Sequence, residues 1–389
     1  MADGEPWATV GYFIVRGAGI RSHRYPLETR NRVLVLYHTS YSDYGPTLFG
    51  EVLQEQYGLR IHAETLRRWL RSAGLWRPEE QGRRHRAHRR ARPRRQAVGS
   101  LLQLDGSPHD WFEGRNPDLP EVTLLVGIDD ASNRVLLRFR PSEDTQGVFE
   151  LLESYFHQYG LPQAIYTDHG RVYWTEDGTT QYQRAMQELG IETIDAHSPQ
   201  AKGRVERSNR TFQDRLITAM RQQGIRTIEE ANRFLEAGYT QRHHSRFAHG
   251  TGLEDVHRSV TARQIERSVS VEEERTLRND YTVMVAAMRW QIEKPELEDR
   301  YLMPSPGARI TVRVYLDGSV DFFAGEQELR VTRVIERGRT RIPGQRPVEG
   351  VEPRLLIRKR LYAMAIKDNQ ENEREANRSK SVRPTAERS

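Results

Sequence analysis

Ala164-Ile-Tyr-Thr-Asp-His-Gly170 is the stretch on which the reading of this chain turns. Its apolar run is too short for a helix and stops at an acid, a histidine and a glycine, which is how a buried strand ends at the edge of a sheet. Leu101-Leu-Gln-Leu-Asp-Gly-Ser107 repeats the pattern upstream, with Asp105 closing the run Leu101 to Leu104. Downstream, Ser198-Pro-Gln-Ala-Lys-Gly-Arg-Val-Glu-Arg-Ser-Asn209 opens a helix at Ser198-Pro199 and carries Glu206 early in it. Two strand ends and one helix therefore each deliver a carboxylate.

Between and around these segments the periodicity fills in a sheet. Val122 to Asp129 and Arg134 to Phe139 read as two further strands, joined by a hairpin over Asp129 to Asn133. Asp129 and Asp130 are expected as turn formers there. A helix from Thr145 to Tyr159 is stopped by Gly160-Leu-Pro162. A second, from Thr179 to Leu189, leads through Gly190 to a strand at Ile191 to Ile194. The next helix runs from Pro199 to about Met220, with Val205, Phe212, Leu216 and Ala219 on the core face and Lys202, Glu206, Asn209, Arg210 and Gln213 on another. Thr227 with Glu230 forms a capping box for one more. The expected fold class is α/β, a mixed five-stranded sheet with flanking helices over residues 99–262.

On the amino-terminal side, residues 1–28 show no period. Over 29–80, Thr29 to His38, Pro46 to Tyr57 and Ala63 to Ser72 read as three helices, with Gly58 in the turn between the last two. That arrangement suggests a helix-turn-helix whose last helix offers Arg67, Arg68 and Arg71 to a DNA groove, and an ordinary three-helix bundle is the competing reading. Residues 81–98 form a linker containing Arg83, Arg84, Arg86, Arg89 and Arg90 with no acid among them. Such a run attracts nucleic-acid phosphates or simply solubilises a connection. After a second linker at 263–274, residues 275–336 read as a small β-barrel. Its strands lie at Tyr281 to Val285, Ile310 to Tyr315, Val320 to Phe323 and Leu329 to Val334, with a hairpin at Asp317-Gly318. Residues 337–389 are an extension expected to be disordered after about 365.

Composition narrows the possibilities. The 389 residues contain no cysteine, which removes disulfides, thiolate nucleophiles and cysteine-bound zinc. With 36% hydrophobic residues and no apolar run near the roughly 20 needed to span a bilayer, the expectation is no membrane association and a cytoplasmic location, in bacterial cytoplasm or nucleoid. Net charge is only +6, so its clustering in the arginine run matters more than its sum.

Singly, Asp105 as a turn cap, Asp168 in an Asx-turn and Glu206 as an exposed helix charge would need no metal. Jointly they suit phosphodiester chemistry, where two hard divalent ions held by carboxylates neutralise developing charge. These residues are similar to those of a known family. The segment from about Gly99 to Val260 resembles the integrase catalytic core of DDE transposases and retroviral integrases, a ribonuclease H-like fold. Asp105, Asp168 and Glu206 match its triad, the last two being 38 positions apart.

Ser198 to Asn209 with Gln213-Asp-Arg-Leu216, and Tyr44-Gly-Pro-Thr-Leu48 with Glu64-Thr-Leu-Arg-Arg-Trp69, resemble ISNCY-type insertion-sequence transposases. The resemblance implies a helix-turn-helix, the core and an SH3-like barrel in that order, with two Mg²⁺ (or Mn²⁺) held by the three acids. It also implies double-stranded DNA, both element ends and target, as the partner of a homo-oligomer. Lys202, Arg207 and Arg210 are expected on DNA phosphates. His169 stands where the family often has Asn. No additional amino-terminal helix-turn-helix resembling that of relatives is found in residues 1–28, so a shortened copy with its triad intact is expected. The alternatives are a catalytically inactive DNA-binding regulator and a nuclease that cuts without joining.

Overall fold

The computed structural model describes residues 25–78, 93–176, 179–195, 203–250, 252–286, 288–294 and 303–334. Contacts divide the chain into two units, one of residues 1–90 with Thr211–Gln222 and one of the remainder.

In the first unit, α1 (Leu27–Ser40), α2 (Pro46–Tyr57) and α3 (Ala63–Ser72) enclose a small core of Tyr37, Phe49, Leu53, Leu66 and Leu70. Proline at the first position of α2 costs no hydrogen bond, and Gly58 at φ 64° ends it in the left-handed conformation that lets the chain turn into α3. Trp69 is core, 8% exposed, and meets Tyr25 edge to face.

The second unit is built on five strands: β1 (Leu102–His109), β2 (Val122–Asp129), β3 (Val135–Arg140), β4 (Ala164–Thr167) and β5 (Glu192–Asp195). They lie in the order β3-β2-β1-β4-β5; β1 to β3 form an antiparallel meander, and β4 and β5 join parallel to β1. This mixed sheet fits the ribonuclease H-like core that the resemblance implies. Strand β1 does not end at Leu104 as expected. It runs on through Asp105 to His109, because antiparallel pairing with β2 satisfies the backbone of this more polar stretch.

Helix α4 (Thr145–Tyr159) starts at Asp144, whose side chain accepts from Gly147 N at 2.6 Å. Arg140 ties the end of β3 to this helix through Asp144 and Glu150, a buried ion network. Helix α5 (Gln181–Glu188) carries a Thr180–Gln183 capping box and packs with α4 into a core of Phe149, Leu152, Phe156, Ile165, Tyr182 and Met186. Helix α6 (Gly203–Gln222) follows, and residues 196–202, where the helix was expected to open, lie outside the described residues. Val205, Phe212 and Leu216 are buried as their spacing requires.

Next come α7 (Ile228–Phe234), a π turn at Leu235–Tyr239, and α8 (Thr240–Phe247). Asn232 of α7 and His244 of α8 bond the β3 backbone at Phe139 and Val135.

Residues 263–274 are not a linker. Helix α9 (Ala262–Ser268) puts Ile265 and Val269 into the main core, and β6 (Val271–Thr276) starts the next sheet. The remaining strands are β7 (Thr282–Val285), β8 (Met288–Ile292), β9 (Arg309–Val314), β10 (Val320–Ala324), β11 (Gln327–Leu329) and β12 (Val331–Val334). They make a four-stranded sheet β11-β10-β9-β6 and a three-stranded sheet β12-β8-β7 around Val283, Val285, Ile310, Val312 and Phe322. The single strand expected over Leu329 to Val334 is two strands. The chain changes sheets at Arg330, whose carbonyl accepts from Glu293 N, so Leu329 and Val331 both reach the same core from different sheets.

Candidate active site

Asp105 lies in the middle strand of the sheet, half-buried. The parallel pairing of β1 with β4 aligns Leu102 with Ile165 and Gln103 with Tyr166. Asp105 lies two residues beyond that pairing on β1, and Asp168 follows the last residue of β4. Asp168 is half-buried, and its Oδ1 accepts from Gly170 N at 2.9 Å. This is the Asx-turn expected of an acid at a strand end, and it fixes the carboxylate's direction.

Helix α6 meets Asp105 through Asn209. Asn209 Nδ2 donates to Asp105 Oδ2 at 2.8 Å, while Asn209 Oδ1 is buried with no partner among the described residues. Glu206 is three positions earlier on α6. The Glu206 side chain, like Lys202, lies outside the described residues. Among the described residues no three His, Cys, Asp or Glu side chains gather closely enough to hold a metal ion. Asp105 and Asp168 nonetheless supply the hard oxygen donors that suit Mg²⁺, which takes one or two protein carboxylates and keeps several waters.

A further acid borders the pair. Glu143, in the turn before α4, has one carboxylate oxygen against Gly106, so near that a Cβ added to Gly106 would fall 2.5 Å from it. Its other oxygen accepts from the Tyr173 hydroxyl at 2.6 Å. Burial, reinforced by the negative charge of Glu143, pushes the Tyr173 pKa well up, so this phenol keeps its proton and donates. His169 is exposed, edge-on to Trp174.

Asp129 and Asp130 are consumed by structure. Asp129 accepts from Gly99 N, Ser132 N and Ser132 Oγ, and Asp130 from Arg95 N and Gln103 Nε2. In the first unit, Arg68 and Arg71 are exposed on α3, whereas Arg67 is tied to Glu64 at 2.9 Å and to Thr47. Arg207 and Arg210 are exposed on α6. Arg83, Arg84, Arg86, Arg89 and Arg90 fall outside the described residues.

Two neighbours of the pair were not singled out from the sequence. Asn209 had a usable signal, since it lies one turn from Glu206 on the same face. Glu143 had none, because nothing local links it to Gly106 or Tyr173.

Comparison with known proteins gives two curated relatives. Over 303 residues the chain is 37% identical to y4bF of Sinorhizobium fredii, which carries a transposase name; the match covers 75% of this chain and 64% of that protein. Over 274 residues it is 31% identical to the transposase for insertion sequence IS1202 of Streptococcus pneumoniae, covering 59% of this chain and 57% of that one. The chain thus spans somewhat under two thirds of the length of each. Among solved structures, the catalytic core domain of BIV integrase aligns with 36% of this chain and 82% of its own, at 21% identity and a TM-score of 0.28. A simian T-cell lymphotropic virus intasome chain aligns with 78% of this one and 99% of its own, at 14% identity and a TM-score of 0.34. No protein-family model matches the chain.

Proposed function

We propose that this chain, which is similar to two transposases, is a DDE-type transposase that hydrolyses a phosphodiester at the ends of a mobile element and joins the freed 3′ hydroxyl to target DNA. Asp105, Asp168 and Glu206 are its catalytic acids. The reading is carried by the hydrogen bond from Asn209 to Asp105, which ties α6 to β1 three positions after Glu206 in the sequence, and it is supported by the parallel pairing of β1 with β4, the strand that Asp168 follows.

Each residue then has a task. Asp105 in β1 and Asp168 just after β4 bring two negative charges toward one part of the sheet, and like charges repel. A pair of divalent cations, Mg²⁺ or Mn²⁺, would relieve that repulsion and, when bound, supply charge neutralisation and an activated oxygen nucleophile. Asn209 keeps Asp105 from rotating, and the Gly170 amide does the same for Asp168. Nothing in this scheme requires a covalent link between protein and DNA.

The helices α2 and α3, read as a helix-turn-helix, present Arg68 and Arg71 to the duplex, and Arg207 and Arg210 flank the reacting strand as phosphate contacts. The arginine run at 83–90 and Lys202 add sequence-independent attraction. The strands from β6 to β12 are read as an SH3-like barrel that extends the DNA-binding surface. In the proposed working state several copies bridge two DNA ends.

The test is incubation of the full chain with labelled element ends, target plasmid and Mg²⁺. Asp168→Ala and Asp105→Ala should abolish nicking and joining, a fall of at least about 10³-fold, while DNA retention on a gel is unchanged. Joining by Asp168→Ala would refute the assignment. Binding without any cleavage by the unaltered chain would favour the regulator, and cleavage without joining the nuclease.

A further inference from the structure

Glu143 plays no part in the proposed chemistry, yet its carboxylate lies between Gly106 of β1 and Tyr173 in the turn that follows Asp168. Oε1 holds the Tyr173 hydroxyl at 2.6 Å. Tyr173 closes the turn that begins at Asp168: its amide donates to Gly170 O at 2.9 Å, and Gly170 N donates to Asp168 Oδ1 at 2.9 Å. The ring is buried, edge-on to Tyr182 at 5.0 Å, so the hydroxyl has little freedom to seek another acceptor. On the opposite side, Glu143 Oε2 rests on Gly106, the residue after Asp105. A continuous series of contacts therefore runs from Asp168 through Gly170, Tyr173 and Glu143 to Gly106 and Asp105.

Resting on the proposal that Asp105 and Asp168 hold divalent cations, we infer that Glu143 is a positioning residue for that pair. Through the Tyr173 hydroxyl it pins the loop after β4 against β1 and so sets how far apart the two catalytic carboxylates stand. Glycine at 106 belongs to the same device, since any side chain there would displace the Glu143 carboxylate. The role depends on a hydrogen-bond acceptor at this spot, not on a fourth negative charge.

The experiment is calorimetric titration of the full chain with Mn²⁺, without DNA, alongside thermal melts. Glu143→Ala and Tyr173→Phe should each weaken Mn²⁺ binding by about tenfold or more, the usual effect of losing a group that orients a metal ligand. The double variant should be no weaker than the worse single, because both changes remove the same hydrogen bond. Glu143→Gln keeps the acceptor and should bind Mn²⁺ close to the unaltered chain; it and Tyr173→Phe carry the test if Glu143→Ala fails to fold. Wild-type affinity in Glu143→Ala or in Tyr173→Phe would overturn the inference. So would a Glu143→Gln as weak as Glu143→Ala, which would mean that charge matters and the hydrogen bond does not. If the unaltered chain binds Mn²⁺ no better than Asp105→Asn and Asp168→Asn, the carboxylate site itself falls, and this result is distinct because it appears without touching Glu143.

Discussion

Gly99 shows how much one position can demand. Its φ is +81°, and a Cβ built there would lie 2.7 Å from ring atoms of His257. That ring cannot give way, because Asp255 Oδ1 holds its Nδ1 at 2.6 Å, the Tyr155 hydroxyl meets its Nε2 at 2.8 Å, and Tyr159 stacks on it. Gly99→Ala should therefore cost more than the roughly 1–2 kcal/mol of the left-handed backbone alone. Gly114, at φ +68° with open space around it, supplies the control, since Gly114→Ala meets only the backbone cost. Urea denaturation compares them, and equal losses would show that the His257 ring yields. None of this was legible locally, for Gly99 and His257 are distant in sequence. Asp168 was legible, and its Asx-turn with Gly170 is the conformation an acid takes at a strand end.

Among the elements, α8 closes the exposed side of β3 by placing His244 Nε2 2.9 Å from the Val135 amide. Burial, the largest cause, lowers the His244 pKa; a backbone bond at Val135 opposes this, and Arg134 adds to it. A histidine harder to protonate in the folded protein gives stability that is present above its unfolded value of about 6.5 and is lost as pH falls through and below it. Melting temperature should accordingly decline from pH 7.5 to pH 5, and His244→Gln should flatten that decline; an unchanged slope would remove His244 from the account. Helices α2, α3 and α4 follow their sequence bounds because proline, glycine and capping residues mark their ends. Strands β11 and β12 and helix α9 escaped, since changing sheets at Arg330 and docking on a distant core leave no local mark.

At the scale of the whole molecule, charge placement makes its own prediction. If the arginines at 83, 84, 86, 89 and 90 neutralise DNA phosphates, replacing all five with alanine should reduce the slope of log binding constant against log salt by up to about 0.9 for each phosphate no longer neutralised. An unchanged slope measured by fluorescence anisotropy would make the run a mere connection. The sequence by itself marked the three amino-terminal helices and the strands and helices of the five-stranded sheet, and its lack of cysteine excluded thiol chemistry, because period, turn residues and residue type are local properties. Only the tertiary structure decided that Asp105 stands within a strand, that Asn209 donates to it from α6, that Asp129 is held by Gly99 and Ser132 and Asp130 by Arg95 and Gln103, and that Glu143 meets both Gly106 and the Tyr173 hydroxyl. Those facts depend on strand register and on contacts between residues far apart along the chain, and a pattern read a few residues at a time contains neither.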